Sequence, residues 1–114
     1  MPINSETILS TQTHPGDSTV QTVTGEKFKG DGYYGRADGL HTIQYTLDNV
    51  RGSVTVQATL ATNPTSSDWF DVYESVYLNE TTGTFTSNFT GNYVWVRGIL
   101  EYTQGTLDTL KFNH

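Results

Sequence analysis

The side chains that could carry out catalysis are few in this sequence and lie far apart. Its three histidines are His14 in a turn-like segment, His41 at the start of a predicted strand, and His114 at the last position. Nucleophilic catalysis needs a hydroxyl beside a base that an acid orients, and no spacing here brings such groups together. His41 alternates with apolar residues, so we expect a structural histidine with satisfied hydrogen bonds. The sequence therefore predicts neither a catalytic triad nor a histidine metal site.

Three acidic residues recur at intervals of three positions, at Asp68, Asp71 and Glu74. Residues three apart in an extended strand point to opposite faces, so these carboxyl groups do not converge. A glycosidase also needs a deep cleft with two carboxyl groups at a fixed separation, which a domain of 114 residues can hardly build. We therefore predict that the protein is not an enzyme.

A glycine-rich segment spans residues 25–39 and contains the pattern G-x-G-x-x-G, beginning at Gly30. A dinucleotide site requires a hydrophobic strand before these glycines and a helix after them, and the flanking residues predict neither. Asp31 and Asp38 could supply oxygen ligands to calcium, but the regular spacing of a calcium-binding loop is missing. We predict a loop that holds no cofactor and no metal.

Two tryptophans and one arginine are the side chains that best suit a binding role. Trp69 and Trp95 could be core residues, platforms for sugar rings, or side chains that fill a pocket on another subunit. Arg97 should project from the same strand face as Tyr93 and Trp95, where it could pair with an acid or stack on an aromatic ring. We favour core positions for the two tryptophans; of the two binding roles, we favour a subunit interface over a sugar site.

Further aromatic candidates lie in the glycine-rich loop and in the segment that begins at Trp69. Two adjacent tyrosines in the loop should point in opposite directions where the chain is extended, so at least one should be exposed. In residues 69–78, alternation places Trp69, Tyr73 and Tyr77 on one face. The full set of candidate interface or ligand-contact residues is Tyr33, Tyr34, Trp69, Tyr73, Tyr93, Trp95 and Arg97.

These candidates must be positioned by β-strands, because apolar and polar residues alternate with a period of two. Residues 91–102 are apolar on both faces apart from Arg97, which is typical of a central strand that is covered on both sides. The cover could be a second sheet, a loop or a partner subunit. Residues 40–47 and 53–60 also alternate, and the turn-like residues 48–52 between them predict a β-hairpin.

The remaining strands complete an all-β fold. They are predicted near residues 18–24, 69–78, 84–90 and 106–112. Glycine-containing turns at residues 81–83 and 104–105 should reverse the chain between them. Leu107 and Leu110 break the alternation, which predicts a β-bulge in the last strand. About seven to eight strands at such spacings predict a single antiparallel β-sandwich similar to a jelly roll.

Length and composition support one domain and exclude several classes of function. We predict the sandwich over residues 18–114 and an N-terminal arm or edge strand over residues 1–17. The chain has no cysteine, so disulfides, thiolate metal sites and cysteine nucleophiles are excluded. Its net charge is −6 and its six basic residues are scattered, so nucleic acid is not an expected partner. We expect neither a membrane span nor a signal peptide.

Two segments in the second half of the chain share a pattern with a known group of proteins. The first reads G-x-V-x-V-Q-x-x-L from Gly52 and leads to Asp68 and Trp69, and the second reads F-x-G-N-Y-V-W-V-R from Phe89 to Arg97. This pattern resembles small virion proteins of tailed bacteriophages, particularly marine myophages. The resemblance implies a β-sandwich structural protein of a capsid, neck, tail or baseplate. It also implies a homo-oligomer that docks to other virion proteins and assembles in the host cytoplasm.

The alternative interpretation is a carbohydrate-binding module or lectin-like domain. Such a domain would bind a glycan by stacking sugar rings on exposed aromatic side chains, for which Tyr33, Tyr34, Trp69 and Tyr73 are candidates. It should be functional as a monomer, whereas a virion component should form a symmetric oligomer.

Overall fold

The computed structural model describes residues 5–17, 19–30 and 40–113, and these residues form an all-β protein. Its strands are β1 (Ser5–Leu9), β2 (Gln12–Thr13), β3 (Gln21–Thr24), β4 (Phe28–Lys29), β5 (Leu40–Thr59), β6 (Phe70–Glu74), β7 (Leu78–Thr90) and β8 (Trp95–Asn113). All of the strand pairings between them are antiparallel. The predicted antiparallel all-β fold is therefore confirmed. The described part of the chain contains no helix able to cross a membrane.

Two long strands, β5 and β8, form the centre of the sheet. They pair along almost their whole lengths, from Thr42 opposite Asn113 to Thr59 opposite Trp95. The short strands β1 to β4 follow one another along the other edge of β8. In the same way, β7 and β6 share the other edge of β5. The strand that carries Trp95 is therefore central, as its apolar composition predicts.

The sheet folds over on itself near the middle of both long strands and so forms two layers. Register shifts accompany the bends, and φ is 56° at Asn49 and 96° at Gly105. The first layer consists of residues 40–48 of β5 and 106–113 of β8 together with β1, β2 and β7. The remaining parts of the long strands form the second layer with β3, β4 and β6. Strands that pass from one layer to the other through a bend are a known way to close a β-sandwich.

The core lies between the two layers and is filled by the inward residues of each strand. Gly98 of the second layer lies directly against the first layer, because a Cβ there would stand 2.6 Å from Cδ2 of Leu110. Burying each large apolar side chain contributes about 1.5–3 kcal/mol. The fully buried aliphatic and aromatic residues include Ile43, Leu47, Val50, Val54, Val56, Val96, Leu100, Leu107, Leu110 and Phe112.

The predicted hairpin over residues 40–60 is wrong. Residues 48–52 do not reverse the chain, because β5 runs through them as one strand whose two halves both pair with β8. The turns predicted at residues 81–83 and 104–105 are wrong for the same reason, since they lie inside β7 and β8. Asn and Gly favour left-handed φ values, and such values serve a bulge within a strand as well as a turn between strands. Composition alone therefore does not distinguish a bulge within a strand from a turn between strands.

Of two further local predictions, one agrees with the structure and one does not. The bulge predicted between Leu107 and Leu110 is confirmed, because these residues pair with Leu47 and Tyr45 across a register shift. At the N-terminal end of the described residues, β1 pairs with β8 at the edge of the first layer. It also contributes two buried residues to the core, Ile8 and Leu9, which were expected in an arm or edge strand rather than in the core. A domain boundary at residue 17 stays a prediction.

Candidate functional site

The outer surface of the second layer carries the largest group of sequence-predicted contact residues. Trp95 and Arg97 alternate with buried Val96 and therefore point away from the core. Across the sheet, Gln57 of β5 pairs with Arg97, and Asp71 of β6 pairs with Gln57. We refer to the surface formed by Gln57, Trp69, Asp71, Trp95 and Arg97 as the tryptophan–arginine face.

Arg97 occupies the middle of this face and is fixed on two sides. Its guanidinium carbon lies 4.3 Å from the centroid of the Trp69 ring, and its Nε donates a hydrogen bond of 2.9 Å to Oε1 of Gln57. Gln57 in turn donates from Nε2 to Oδ1 of Asp71 at 2.9 Å. Burial lowers the pKa of Arg97, but a guanidinium remains protonated near neutral pH. Within the described part of the chain, the two Nη atoms of Arg97 make no hydrogen bond.

Trp69 reaches the face from the loop between β5 and β6, and that loop is held by its own hydrogen bonds. The Oδ2 atom of Asp68 accepts from the backbone N–H of Thr65 at 2.7 Å and from its hydroxyl at 3.0 Å. The backbone N–H of Asp68 donates back to the carbonyl of Thr65 at 3.1 Å. Trp69 is half-buried and directly follows this hydrogen-bonded segment.

Trp95 anchors the same loop from the side of the sheet. Its indole N–H donates to the carbonyl of Thr62 at 2.9 Å, and Lys27 places its ammonium group 4.7 Å from the centroid of the indole ring. Lys29 lies opposite Trp95 in the pairing of β4 with β8. A loop therefore covers part of the outer side of the central strand β8. A loop was one of the three possible covers named in the sequence analysis.

Two predicted contact residues lie elsewhere. Tyr73 does not share a face with Trp69, because a register shift in β6 turns it toward the core. Its hydroxyl lies 2.6 Å from that of Tyr45, and burial together with this hydrogen bond raises the pKa of Tyr45. Tyr93 precedes β8 and packs against Phe70 with ring centroids 5.5 Å apart, so its predicted place beside Arg97 is also wrong.

Several other predictions fall on residues that the structure does not describe. Tyr33 and Tyr34, the two remaining contact candidates, lie outside the described residues, as do Asp31 and Asp38 of the possible calcium loop. Within the described ranges, no group of three or more His, Asp or Glu side chains could hold a metal ion.

The histidines are structural where they are described. His41 is fully buried, and its Nε2 lies 2.7 Å from the carbonyl oxygen of Gly91. Its buried Nδ1 has no hydrogen-bond partner among the described residues, so the expectation of satisfied hydrogen bonds is wrong for that atom. His14 is buried too; its Nδ1 accepts from the N–H of Gly16, so its Nε2 carries the proton and donates to Thr19 at 2.7 Å. The hydrogen bonds of both rings are to backbone atoms outside the tryptophan–arginine face.

Sequence reasoning missed the polar members of the face. Gln57 looks like any other outward residue of its strand, and only the pairing of three strands aligns it with Arg97 and Asp71. Sequence reasoning also missed a second exposed surface. There Tyr77 is 69% exposed and borders a cleft of about 220 Å³, which is also lined by Arg51 and Glu101. Glu101 lies four residues beyond Arg97, about 13 Å along β8.

Comparisons with known proteins identify the fold. No protein-family model matches the sequence, and no curated protein does. A selenomethionine-labelled mutant of chitosan-binding module 1, derived from a chitosanase/glucanase of Paenibacillus sp. IK-5, superposes with a TM-score of 0.56 at 10% identity, covering 99% of this chain and 100% of that chain. Another structure of this module gives a TM-score of 0.55 at 12% identity, covering 91% and 76%. A cleaved adhesin domain of Lys-gingipain from Porphyromonas gingivalis gives 0.51 at 10%, covering 82% of this chain and 63% of the adhesin domain.

The chain therefore has a β-sandwich fold that is also found in carbohydrate-binding modules and bacterial adhesin domains. The interpretation as a virion protein of tailed bacteriophages is wrong, because the structures that share the fold are of these other kinds. The predicted role in a capsid, neck, tail or baseplate, through self-association and docking to other virion proteins, is therefore wrong as well. The residues that carried the resemblance mostly build the sheet: Val54 and Val56 are core positions.

Proposed function

We propose that this protein is a non-catalytic carbohydrate-binding domain that holds a glycan on the tryptophan–arginine face. The observation that carries the proposal is the arrangement of Arg97, which is stacked on Trp69 and hydrogen-bonded to Gln57. Its Nη edge is left for a ligand, since it makes no hydrogen bond to the described residues. A guanidinium fixed in this way loses little side-chain entropy when it binds.

The chemistry of the face suits a sugar. A pyranose ring presents an apolar C–H surface and a rim of hydroxyl groups, so it is bound by aromatic rings together with planar polar side chains. Trp69 supplies the ring, while Arg97 and Gln57 supply donors and an acceptor from fixed positions. The shared fold with chitosan-binding modules supports the same conclusion.

The same geometry argues against hydrolysis. Glycoside hydrolysis uses two carboxyl groups on either side of the bond that is cleaved. Asp71 already accepts a hydrogen bond from Gln57, and Asp68 accepts two from Thr65 in its loop. Each of these carboxylates has a structural task, and a binding role needs neither as an acid or base.

Electrophoresis through gels that contain dissolved polysaccharides tests the proposal, followed by titration calorimetry with oligosaccharides of the retarding polymer. We expect Trp69→Ala to weaken binding about tenfold or more, because truncation removes the stacking ring and the support of Arg97. Tyr77→Ala is the matched control, since it removes an exposed aromatic ring far from the face. Retention of binding by Trp69→Ala, or no retardation of the wild type by any polysaccharide in a broad panel, would refute the proposal.

A further inference from the structure

Three of the five basic residues that the structure describes lie on one surface of this acidic protein. The chain has six Lys and Arg residues against 12 Asp and Glu, yet Lys27, Lys29 and Arg97 all lie on or beside the tryptophan–arginine face. Arg97 stacks on Trp69, and Lys27 lies over Trp95. Each of the two tryptophans of the sequence therefore lies against a cation.

Apart from Asp71, the acidic residues of the second-layer strands lie away from these cations. Asp71 is the carboxylate of the face itself, and it is bonded to Gln57. Glu74 pairs with Thr55 and Glu101 with Ser53, so both lie further along the sheet from Trp95. Glu26 is next to Lys27 in sequence but lines a separate cleft with Ile8 and Val23. Along the outer side of β8, positive side chains therefore lie at Arg97 and over Trp95, where the cation is Lys27, and a negative side chain lies at Glu101.

We infer that the glycan held on this face is anionic, carrying carboxylate or sulfate groups. The inference rests on the proposed function and names its ligand class. The Nη edge of Arg97 can donate two parallel hydrogen bonds to a carboxylate or sulfate, the geometry in which a guanidinium binds oxyanions best. Lys27 adds a second positive charge beside the first. A polycation such as chitosan, by contrast, would meet these side chains with charge of the same sign.

The ligand class can be tested with pairs of sugars that share a backbone, of which one member carries anionic groups and the other does not. Oligogalacturonate and its methyl ester share one backbone, and dextran sulfate and dextran form the corresponding sulfate pair. At low ionic strength we expect the anionic member of at least one pair to bind about tenfold more tightly than its neutral partner, and added salt to reduce the difference. The two pairs show whether carboxylate or sulfate is the preferred group.

Charge-removing variants then separate specific contacts from general attraction. Lys27→Gln and Arg97→Gln should bring the ratio of anionic to neutral affinity close to one. Lys111→Gln should leave it unchanged, because this variant alters the net charge equally but sits in the first layer opposite Gln44. If Lys111→Gln and Lys27→Gln lowered the ratio of anionic to neutral affinity equally, the inference would be overturned.

The outcomes also distinguish this inference from the proposed function. Equal binding of the charged and neutral sugars, lost together in Trp69→Ala, would overturn the anionic ligand and leave the carbohydrate-binding function intact. Preferred binding of chitosan would do the same. Absence of binding to every sugar would refute both.

Discussion

Arg97 lies over Trp69, with the guanidinium carbon 4.3 Å from the ring centroid, and this stack joins the central strand β8 to the loop that leads into β6. It links two parts of the chain that the backbone pairing of β8 does not connect directly. The stack is therefore both the centre of the proposed glycan site and a tertiary contact that can be measured without any ligand.

The coupling between these two residues should be visible in the free energy of unfolding. A double-mutant cycle with Trp69→Ala and Arg97→Ala should give an interaction of about 0.5–1 kcal/mol, the usual size for a partly exposed cation–π pair. Denaturant unfolding of the wild type, the two single variants and the double variant measures it. Additive effects would show that the stack contributes nothing to folding.

The loop that carries Trp69 should matter for binding although Asp68 itself touches no ligand in the proposed site. Asp68→Ala removes two hydrogen bonds to Thr65, so the loop must be ordered during binding and glycan affinity should fall about threefold. Asp17→Ala is a matched control, because Asp17 binds Thr19 in the same manner in a different loop. Calorimetry measures the glycan affinity of both variants. An equal loss of affinity in Asp68→Ala and Asp17→Ala would contradict the prediction.

A side chain at Gly98, where the two layers approach closely, should fit only if the side chain of Leu110 shifts. Gly98→Ala would place its Cβ 2.6 Å from Cδ2 of Leu110, and such overpacking costs about 1–3 kcal/mol of stability. Combining it with Leu110→Ala removes the obstructing methyl group, so the double variant should be more stable than the sum of the single effects predicts. Thermal and denaturant unfolding provide the measurement, and strict additivity would contradict the packing described.

Stability should decline in alkaline solution through Tyr45. Burial and the hydrogen bond with Tyr73 raise the pKa of Tyr45 above the usual value of 10.0, and burial raises that of Tyr102 too. Because the unfolded chain then loses the phenolic proton first, the contribution is complete below about pH 10 and is lost as pH rises further, by about 1.4 kcal/mol per pH unit and group.

Tyr45→Phe tests the assignment, because it removes one of the two ionising groups. Unfolding measured at pH 8, 10 and 11 should show a shallower alkaline decline in this variant than in the wild type. Equal slopes in the two proteins would show that Tyr45 does not cause the effect. Tyr77→Phe serves as control, since Tyr77 is 69% exposed.

Sequence alternation was sufficient to find most of the strands, and the bulge near Leu107 and Leu110 followed from a break in that alternation. It did not show that β5 continues through Asn49 and Gly52, because those residues suit a bend and a turn equally. Continuity is decided by pairing with β8, a strand distant in sequence in which Tyr102 is the partner of Gly52, and no local pattern reports it.

For the candidate site, residue type predicted three of the contact residues, whereas the polar partner Gln57 and the face of Tyr73 depended on strand register. Trp69, Trp95 and Arg97 stand out because their residue types dominate binding surfaces, and the structure brings these three together. Tyr73 was assigned to the wrong face, because a bulge in β6 shifts the alternation by one residue. Gln57 became recognisable only once the register of neighbouring strands was known.

The sharing of β5 and β8 by both layers has a consequence for how the protein is made. Thr42 pairs with Asn113 and Thr59 with Trp95, so β5 finds its central partner only in the last described strand. On a ribosome, β5 must wait without that partner until β8 has left the exit tunnel, exposing apolar residues in the meantime. The two layers therefore cannot close before β8 has emerged, and a chaperone that shields β5 during synthesis should raise the yield of native protein.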